Sequence, residues 1–172
     1  MARLPETQAA HLPPNLQPVY GKATGPESGL AATYKALFNH PEAAQTVAGL
    51  DQWVREQSGL DDWILLTVAL TVAHERGSAT LWHSLEPLAR QAGVNEAVID
   101  GIAAGTAPRR LLPKDGIWVQ FALEVLRSEV RDSTWAAVTH LVGDTGAIAL
   151  AVATTYYEMM ARLNAAFALE SA

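Results

Sequence analysis

The chain has 172 residues, of which 49% are hydrophobic and 17% charged, and this composition is typical of one compact globular domain. Its formal net charge is −6, and its 12 lysine and arginine residues are scattered. Nucleic acids bind clustered basic residues, so the sequence argues against them as partners. The chain has no cysteine, which excludes disulfides, thiolate metal sites and thiol redox chemistry of its own.

The sequence does not predict a targeting segment or a membrane span. Its N-terminus lacks the continuous apolar stretch of a secretory signal. The longest apolar stretches, residues 63–73 and 147–157, are shorter than the ~20 residues that a membrane-spanning helix needs. We therefore expect a cytoplasmic protein that binds neither membranes nor nucleic acid.

Residues 1–26 contain five of the nine prolines, together with Gly21 and Gly25. Proline lacks a backbone N–H and glycine adds flexibility, so this composition predicts an irregular, extended N-terminal arm. Such an arm lies across its own domain or across a neighbouring subunit. We expect residues 27–172 to form a single domain.

From Ser28 onward, apolar residues recur at helical spacing, and no segment alternates in the manner of a strand. Ser28, Ser78 and Asn95 are predicted to cap helices, and Gly93 to end one. The sequence predicts an all-α fold of about eight helices, placed at residues 28–40, 41–57, 62–73, 79–93, 96–105, 113–130, 132–143 and 144–167.

Three stretches carry a resemblance to a known family. They are residues 38–42 with the helix that ends at 53–55, residues 65–73 with the helix that ends at 88–94, and residues 132–135 with the helix that contains 156–160 and 163–165. Their order and spacing resemble the alkylhydroperoxidase D-like fold of the carboxymuconolactone decarboxylase family. This resemblance covers most of residues 30–168. It implies a homotrimer or hexamer that handles a small molecule, and in the decarboxylase branch it implies no cofactor.

The chain departs from that family at the residues that define its reactions. When the positions are counted back from Gly93, the two cysteines of the peroxidase branch fall on Ser78 and Leu81, and its histidine falls on Leu85. The glutamate and histidine of the decarboxylase branch fall on Leu81 and Leu85. A leucine neither transfers a proton nor attacks a peroxide, so we predict a divergent member that is not a self-contained thiol peroxidase.

Three titratable residues remain as candidates for catalysis. His83 lies two positions from the family's histidine, a rotation of about 200° on a helix, so it faces a pocket only if the alignment slips. Its alternative is a solvated or subunit-contact face shared with Glu86 and Arg90. His74 and Glu75 end the third predicted helix, at a turn that lines the active site in the family. A helix C-terminus alone also accounts for a histidine there. The metalloprotease spacing is absent, and we predict no metal site.

Four residues are candidates for binding the substrate. Trp82 matches a position that is often aromatic in related sequences and fits a pocket wall or the core. Arg109 and Arg110 follow a short loop, and arginine holds a carboxylate through paired hydrogen bonds; the alternative is a solvated loop. Tyr156 suits the wall of a cavity for a flat, apolar ligand, or the core.

These observations leave two main hypotheses and do not decide whether the protein is an enzyme. The first is a cofactor-independent lyase or isomerase that acts by acid–base chemistry on a small carboxylated lactone or another ring-cleavage product of aromatic catabolism. The alternative is a non-catalytic small-molecule-binding or scaffold homologue, which Leu81 and Leu85 favour because a buried leucine contributes roughly 1.5–3 kcal/mol to stability. A peroxide-linked role would need a partner that supplies the thiol.

Overall fold

The computed structural model describes residues 1–170 and contains no β-strand within them. Its eight α-helices are α1 (Gln17–Ala23), α2 (Ala31–Leu37), α3 (Pro41–Gln52), α4 (Asp62–Glu75), α5 (Ala79–Gln91), α6 (Glu96–Ala103), α7 (Pro113–Leu126) and α8 (Asp132–Ala166). The prediction of an all-α fold with about eight helices is therefore confirmed.

Side chains cap two of the helix starts that the sequence predicts. The Ser78 side chain accepts a hydrogen bond from the backbone N–H of Leu81, and Asn95 caps α6 in the same way, as predicted. The predicted cap at Ser28 is wrong. Helix α2 begins three residues later because Gly29 has a positive φ of 66°, which interrupts the helical conformation.

Helix α3 begins at Pro41 and continues without a break into a wider π-helical turn, Trp53–Gln57. The predicted extent of this helix is confirmed, but the widening of its last turn was not foreseen. π-Helical turns are rare and often lie at functional sites. This one carries Arg55 and Glu56.

The two last predicted helices follow one another as the single element α8, which is interrupted at Gly143 (φ 74°, ψ 173°). The start predicted at Asp144 coincides with this interruption.

By length and composition alone, α8 is the one helix of residues 1–170 that could cross a membrane. The core helix of a water-soluble protein also meets these two criteria.

Helix α4 lies at the centre of the fold and packs against α5, α6, α7 and α8. It is apolar on nearly all sides, and its residues from 67 to 73 are all buried. A helix that is hydrophobic all round has to be covered on every side, and the four neighbouring helices provide that cover.

The N-terminal arm is not irregular throughout, which corrects the sequence-based expectation. Apolar residues at helical spacing (Leu12, Leu16 and Tyr20) are buried in the same core as the rest of the chain. Pro18 lies in the first turn of α1, where its missing N–H has no intrahelical partner to lose. The backbone of Thr7 donates a hydrogen bond to the carbonyl of Lys35, so the arm lies across its own domain.

Candidate functional site

Helices α4 and α5 form an antiparallel hairpin with two different ends. We call residues 74–82, where the chain turns from α4 into α5, the turn end. We call the opposite end, formed by residues 62–66 of α4, residues 85–91 of α5 and Ala92 directly after α5, the open end. Of the three catalytic candidates from the sequence, His74 and Glu75 belong to the turn end, and His83 follows it directly on α5.

The catalytic candidates are exposed and do not converge on a cavity. The ring of His74 packs edge-on against that of Trp82, with a centroid distance of 6.4 Å. Glu75 forms an ion pair with Arg127, at 3.4 Å between Oε1 and Nη2. His83 lies on the solvent face of α5. None of these residues lines either of the two clefts described below.

The turn end is filled by the chain's own C-terminal segment. Ser78, where the resemblance places a cysteine, is buried, and its hydroxyl donates to the carboxylate of Glu170. The backbone N–H of Thr80 donates to the other Glu170 oxygen at 3.0 Å, and its hydroxyl donates to the carbonyl of Leu169 at 2.7 Å. A carboxylate at a helix N-terminus is stabilised by the helix dipole.

The predicted binding residues are spread over the molecule. Trp82 is half-buried beside His74, whereas Arg109 and Arg110 are exposed on a 3-10 turn, Pro108–Arg110. Tyr156 is fully buried and belongs to a polar network beneath the open end. The structure thus brings Trp82 to His74 but does not bring the arginines or Tyr156 to either of them.

The open end borders a cleft of about 420 Å³, which we call the arm cleft. Volumes of this size are usual for sites that bind small molecules. Its lining comes from α1 and the connection to α2, from the π-helical turn, and from α4, α5 and α8; the residues are Lys22, Glu27, Ser28, Arg55, Glu56, Asp62, Leu66, Leu85, Leu88, Gln91, Ala92 and Tyr157.

One wall of the arm cleft is apolar and consists of Leu66, Leu85 and Leu88. Leu85, at the position of the family's histidine, is only 1% exposed. Gly29 lies directly against this wall, since a Cβ atom on it would come within 2.6 Å of Leu85 Cδ2. Together with its positive φ, this contact makes Gly29 the residue that allows the α1–α2 connection to lie on α5.

A buried polar network lies behind the cleft and is centred on Asp51. The Tyr156 hydroxyl donates to Asp51 Oδ1 at 2.8 Å, and the Tyr34 hydroxyl lies 3.1 Å from that of Tyr156. Arg55 Nε donates to Asp51 Oδ2 at 3.1 Å, and Nη2 lies 3.0 Å from the same oxygen as part of the ion pair. Burial raises the pKa of Asp51 above its ordinary value, although the Arg55 guanidinium opposes this. Burial and the Asp51 charge also raise the pKa of both tyrosines.

Arg55 connects this network to the cleft. Its Nη1 donates to the backbone carbonyl of Glu27 at 2.9 Å, in addition to the hydrogen bond and ion pair with Asp51. Its side chain remains 24% exposed and lines the arm cleft. The guanidinium is therefore held at two points, by Asp51 and by the Glu27 carbonyl, and its five N–H groups exceed the two hydrogen bonds that it donates within residues 1–170.

Tyr157 contributes a second donor to the arm cleft. Its side chain is 2% exposed, and its hydroxyl makes no hydrogen bond with residues 1–170, in contrast to its neighbour Tyr156. Burial raises the pKa of Tyr157, and the Asp51 charge raises it further. The hydroxyl is therefore neutral and able to donate at physiological pH.

The charges around the arm cleft are largely compensated. Lys22 pairs with Glu56 at 2.5 Å, and Arg55 pairs with Asp51. The carboxylates of Glu27 and Asp62 have no ion-pair partner among residues 1–170, which leaves the lining with a negative balance. A second cleft of about 330 Å³ lies between α1 and α3 and shares Lys22 with the first.

Residues 1–170 contain no group of three histidine or carboxylate side chains that could hold a metal ion.

Comparisons with models of protein families, with curated proteins and with solved structures gave no match. The resemblance to the carboxymuconolactone decarboxylase family therefore stays a prediction.

Sequence reasoning missed the polar residues of the arm cleft, above all Arg55 and Tyr157. The one available signal was the spacing of Asp51 and Arg55, four residues apart on a helix. That spacing is typical of an exposed pair, and nothing local in the sequence indicates that α1 and α8 cover it.

Proposed function

We propose that this protein binds a small organic molecule in the arm cleft, as a non-catalytic relative rather than as a lyase. The observation that carries the proposal is the composition of the cleft, in which three leucines face a polar edge formed by Arg55 and Tyr157. Sites for small molecules usually combine an apolar wall with a few well-placed polar groups.

The preference for binding over catalysis rests on the placement of titratable groups. Efficient acid–base catalysis needs a group with a pKa near the working pH, most often histidine. The lining of the arm cleft includes no histidine among residues 1–170, and the pKa of Tyr157 lies above its ordinary value. His74, Glu75 and His83 lie toward the other end of the hairpin.

A lyase or isomerase that uses the turn end is the second candidate. The contact between His74 and Trp82 favours it, because it places an exposed imidazole beside an aromatic surface next to Glu75. Incubation of the wild type and of His74→Gln with carboxylated lactones and muconates, followed by NMR, tests this candidate. Turnover that the substitution abolishes would establish the lyase and overturn the binding proposal.

The binding proposal is tested by two-dimensional ¹H–¹⁵N NMR during titration with 1-cyclohexylethanone, cyclohexanecarboxylate and cyclohexylmethylammonium. We expect at least one of the three probes to shift the amide signals around Leu85, Gln91 and Arg55. Leu88→Trp fills the cleft and abolishes these shifts. Leu141→Trp makes the same change at an exposed position on α8 and leaves them intact.

Shifts that survive in Leu88→Trp, or the absence of binding by all three probes, would contradict the proposal.

Assembly as a homotrimer or hexamer and a cytoplasmic location both stay predictions. Helix α8 exposes Trp135, Leu141 and Ile148, and sedimentation measurements on the wild type decide whether copies associate.

A further inference from the structure

We infer that the molecule held in the arm cleft is an uncharged carbonyl compound with a hydrocarbon body, whose oxygen accepts hydrogen bonds from Tyr157 and Arg55. Ketones, lactones, esters and amides belong to this class. The inference rests on the proposed function, because it names the ligand class of that same site. It differs from the carboxylated ligand that the sequence suggests.

The first argument is the convergence of unused donors. Tyr157 lines the cleft and is 2% exposed as a whole residue, and its hydroxyl has no hydrogen-bond partner among residues 1–170. Arg55 lines the same cleft, donates two hydrogen bonds within residues 1–170, and is held by Asp51 and by the carbonyl of Glu27. Hydrogen-bond donors that line a cleft are matched by an acceptor oxygen on the ligand.

The second argument is charge, which disfavours a carboxylate. The two cations of the lining are already neutralised, Lys22 by Glu56 and Arg55 by Asp51. The remaining charged groups, Glu27 and Asp62, are negative. A carboxylate ligand would lose its hydration and meet like charges without an unpaired cation to compensate.

Charge and hydrogen bonding together also disfavour an ammonium ligand. Glu27 and Asp62 would attract it, but both are exposed, and attraction between solvated charges is weak. An ammonium group carries no acceptor, so it would offer none to the Tyr157 hydroxyl or to the remaining Arg55 N–H groups. A neutral carbonyl group accepts from these donors and does not depend on the exposed carboxylates.

The apolar wall defines the rest of the ligand. Leu66, Leu85 and Leu88 face the cleft, and Leu85 and Leu88 are held in place by the close approach of Gly29. These side chains offer only dispersion contacts and the burial of hydrocarbon. The ligand therefore carries its oxygen at one end and a hydrocarbon body at the other.

The test compares 1-cyclohexylethanone, cyclohexanecarboxylate and cyclohexylmethylammonium, which share a cyclohexyl body and differ in the polar group. Dissociation constants are measured by NMR titration of the intact protein at pH 7. We expect the ketone to bind most tightly. Tyr157→Phe should weaken its binding roughly 2- to 12-fold, the range that a net hydrogen bond provides. Tyr34→Phe removes a hydroxyl outside the cleft and should leave the affinity unchanged.

The outcomes separate the two proposals. Tighter binding of the carboxylate or the ammonium probe at the same amides would overturn the carbonyl inference and leave the binding function intact. Equal affinity of the ketone for the wild type and Tyr157→Phe would also overturn the inference. If no probe binds, or if binding persists in Leu88→Trp, the proposed function itself fails.

Discussion

The two ends of the α4–α5 hairpin differ in how their polar groups are used. At the turn end, His74 and Glu75 are exposed, and the buried Ser78 is engaged by the chain's own Glu170. Beside the open end, Arg55 is held by Asp51 and the Glu27 carbonyl but uses only two of its five N–H groups in hydrogen bonds within residues 1–170, and it lines a cleft with an apolar wall.

This difference teaches that residue type alone does not identify a site. Histidine is the residue most suited to proton transfer near neutral pH, yet the histidines nearest the hairpin lie on solvated surfaces. Arginine and tyrosine become selective binding groups once burial removes competing water. The variants below test whether the open end is as rigid and as coupled to the core as the structure indicates.

The largest expected effect is a loss of stability at high pH, caused by the buried tyrosines beside the open end. Burial raises the pKa values of Tyr34, Tyr156 and Tyr157 above the ordinary value of 10.0. Above about pH 10 the unfolded chain releases protons that the folded protein keeps. The contribution of these tyrosines to the free energy of unfolding is therefore fully present below about pH 10. It decreases as the pH rises further, by about 1.4 kcal/mol per pH unit for each tyrosine.

Denaturant unfolding between pH 8 and pH 11 measures this loss, and absorbance at 295 nm follows tyrosine ionisation. Tyr157→Phe should reduce the slope by the contribution of one tyrosine. Ionisation of all three hydroxyls near pH 10 in the folded protein would show that the open end admits water freely.

The next effect compares an ion pair from each end. Arg55→Met leaves Asp51 buried without its cation, and we expect a loss of about 3–5 kcal/mol in the free energy of unfolding. Arg127→Met removes the exposed partner of Glu75 and should cost less than about 1 kcal/mol. Denaturant titration measures both, and equal losses would remove the distinction between the two ends.

A smaller effect compares neighbours on α5. Leu85→Ala should lower the free energy of unfolding by about 2–3 kcal/mol, near the low end of the usual range because the arm cleft already adjoins this side chain. His83→Ala should change it by no more than about 0.5 kcal/mol, because His83 is exposed. A large loss for His83→Ala would reveal a contact at that face, such as another subunit.

The smallest effect compares two adjacent tyrosines. Tyr156→Phe removes a hydrogen bond to the buried Asp51 and should cost about 1–2 kcal/mol. Tyr157→Phe removes a hydroxyl without a partner among residues 1–170 and should be neutral within about 0.5 kcal/mol in the absence of ligand. Thermal unfolding of the two variants distinguishes them, and a costly Tyr157→Phe would show that this hydroxyl is already satisfied inside the protein.

The secondary structure could be predicted largely from local signals. The Ser78 and Asn95 caps, the proline at the start of α3 and the apolar run of α4 all act through residues close in sequence. The exceptions have local causes that compete with the pattern: the positive φ of Gly29 delays α2, and the spacing of Leu12, Leu16 and Tyr20 orders an arm that its prolines suggested was irregular.

The sequence by itself therefore determined the helical class, the order of the helices and the apolar character of Leu81 and Leu85. Only the tertiary structure decided which polar residues meet at a cavity. Arg55, Tyr157 and Leu85 come from three separate helical segments, and neither their meeting nor their burial is visible in local periodicity. Burial then changes their chemistry, because a donor withdrawn from water requires a partner that an exposed donor finds in the solvent.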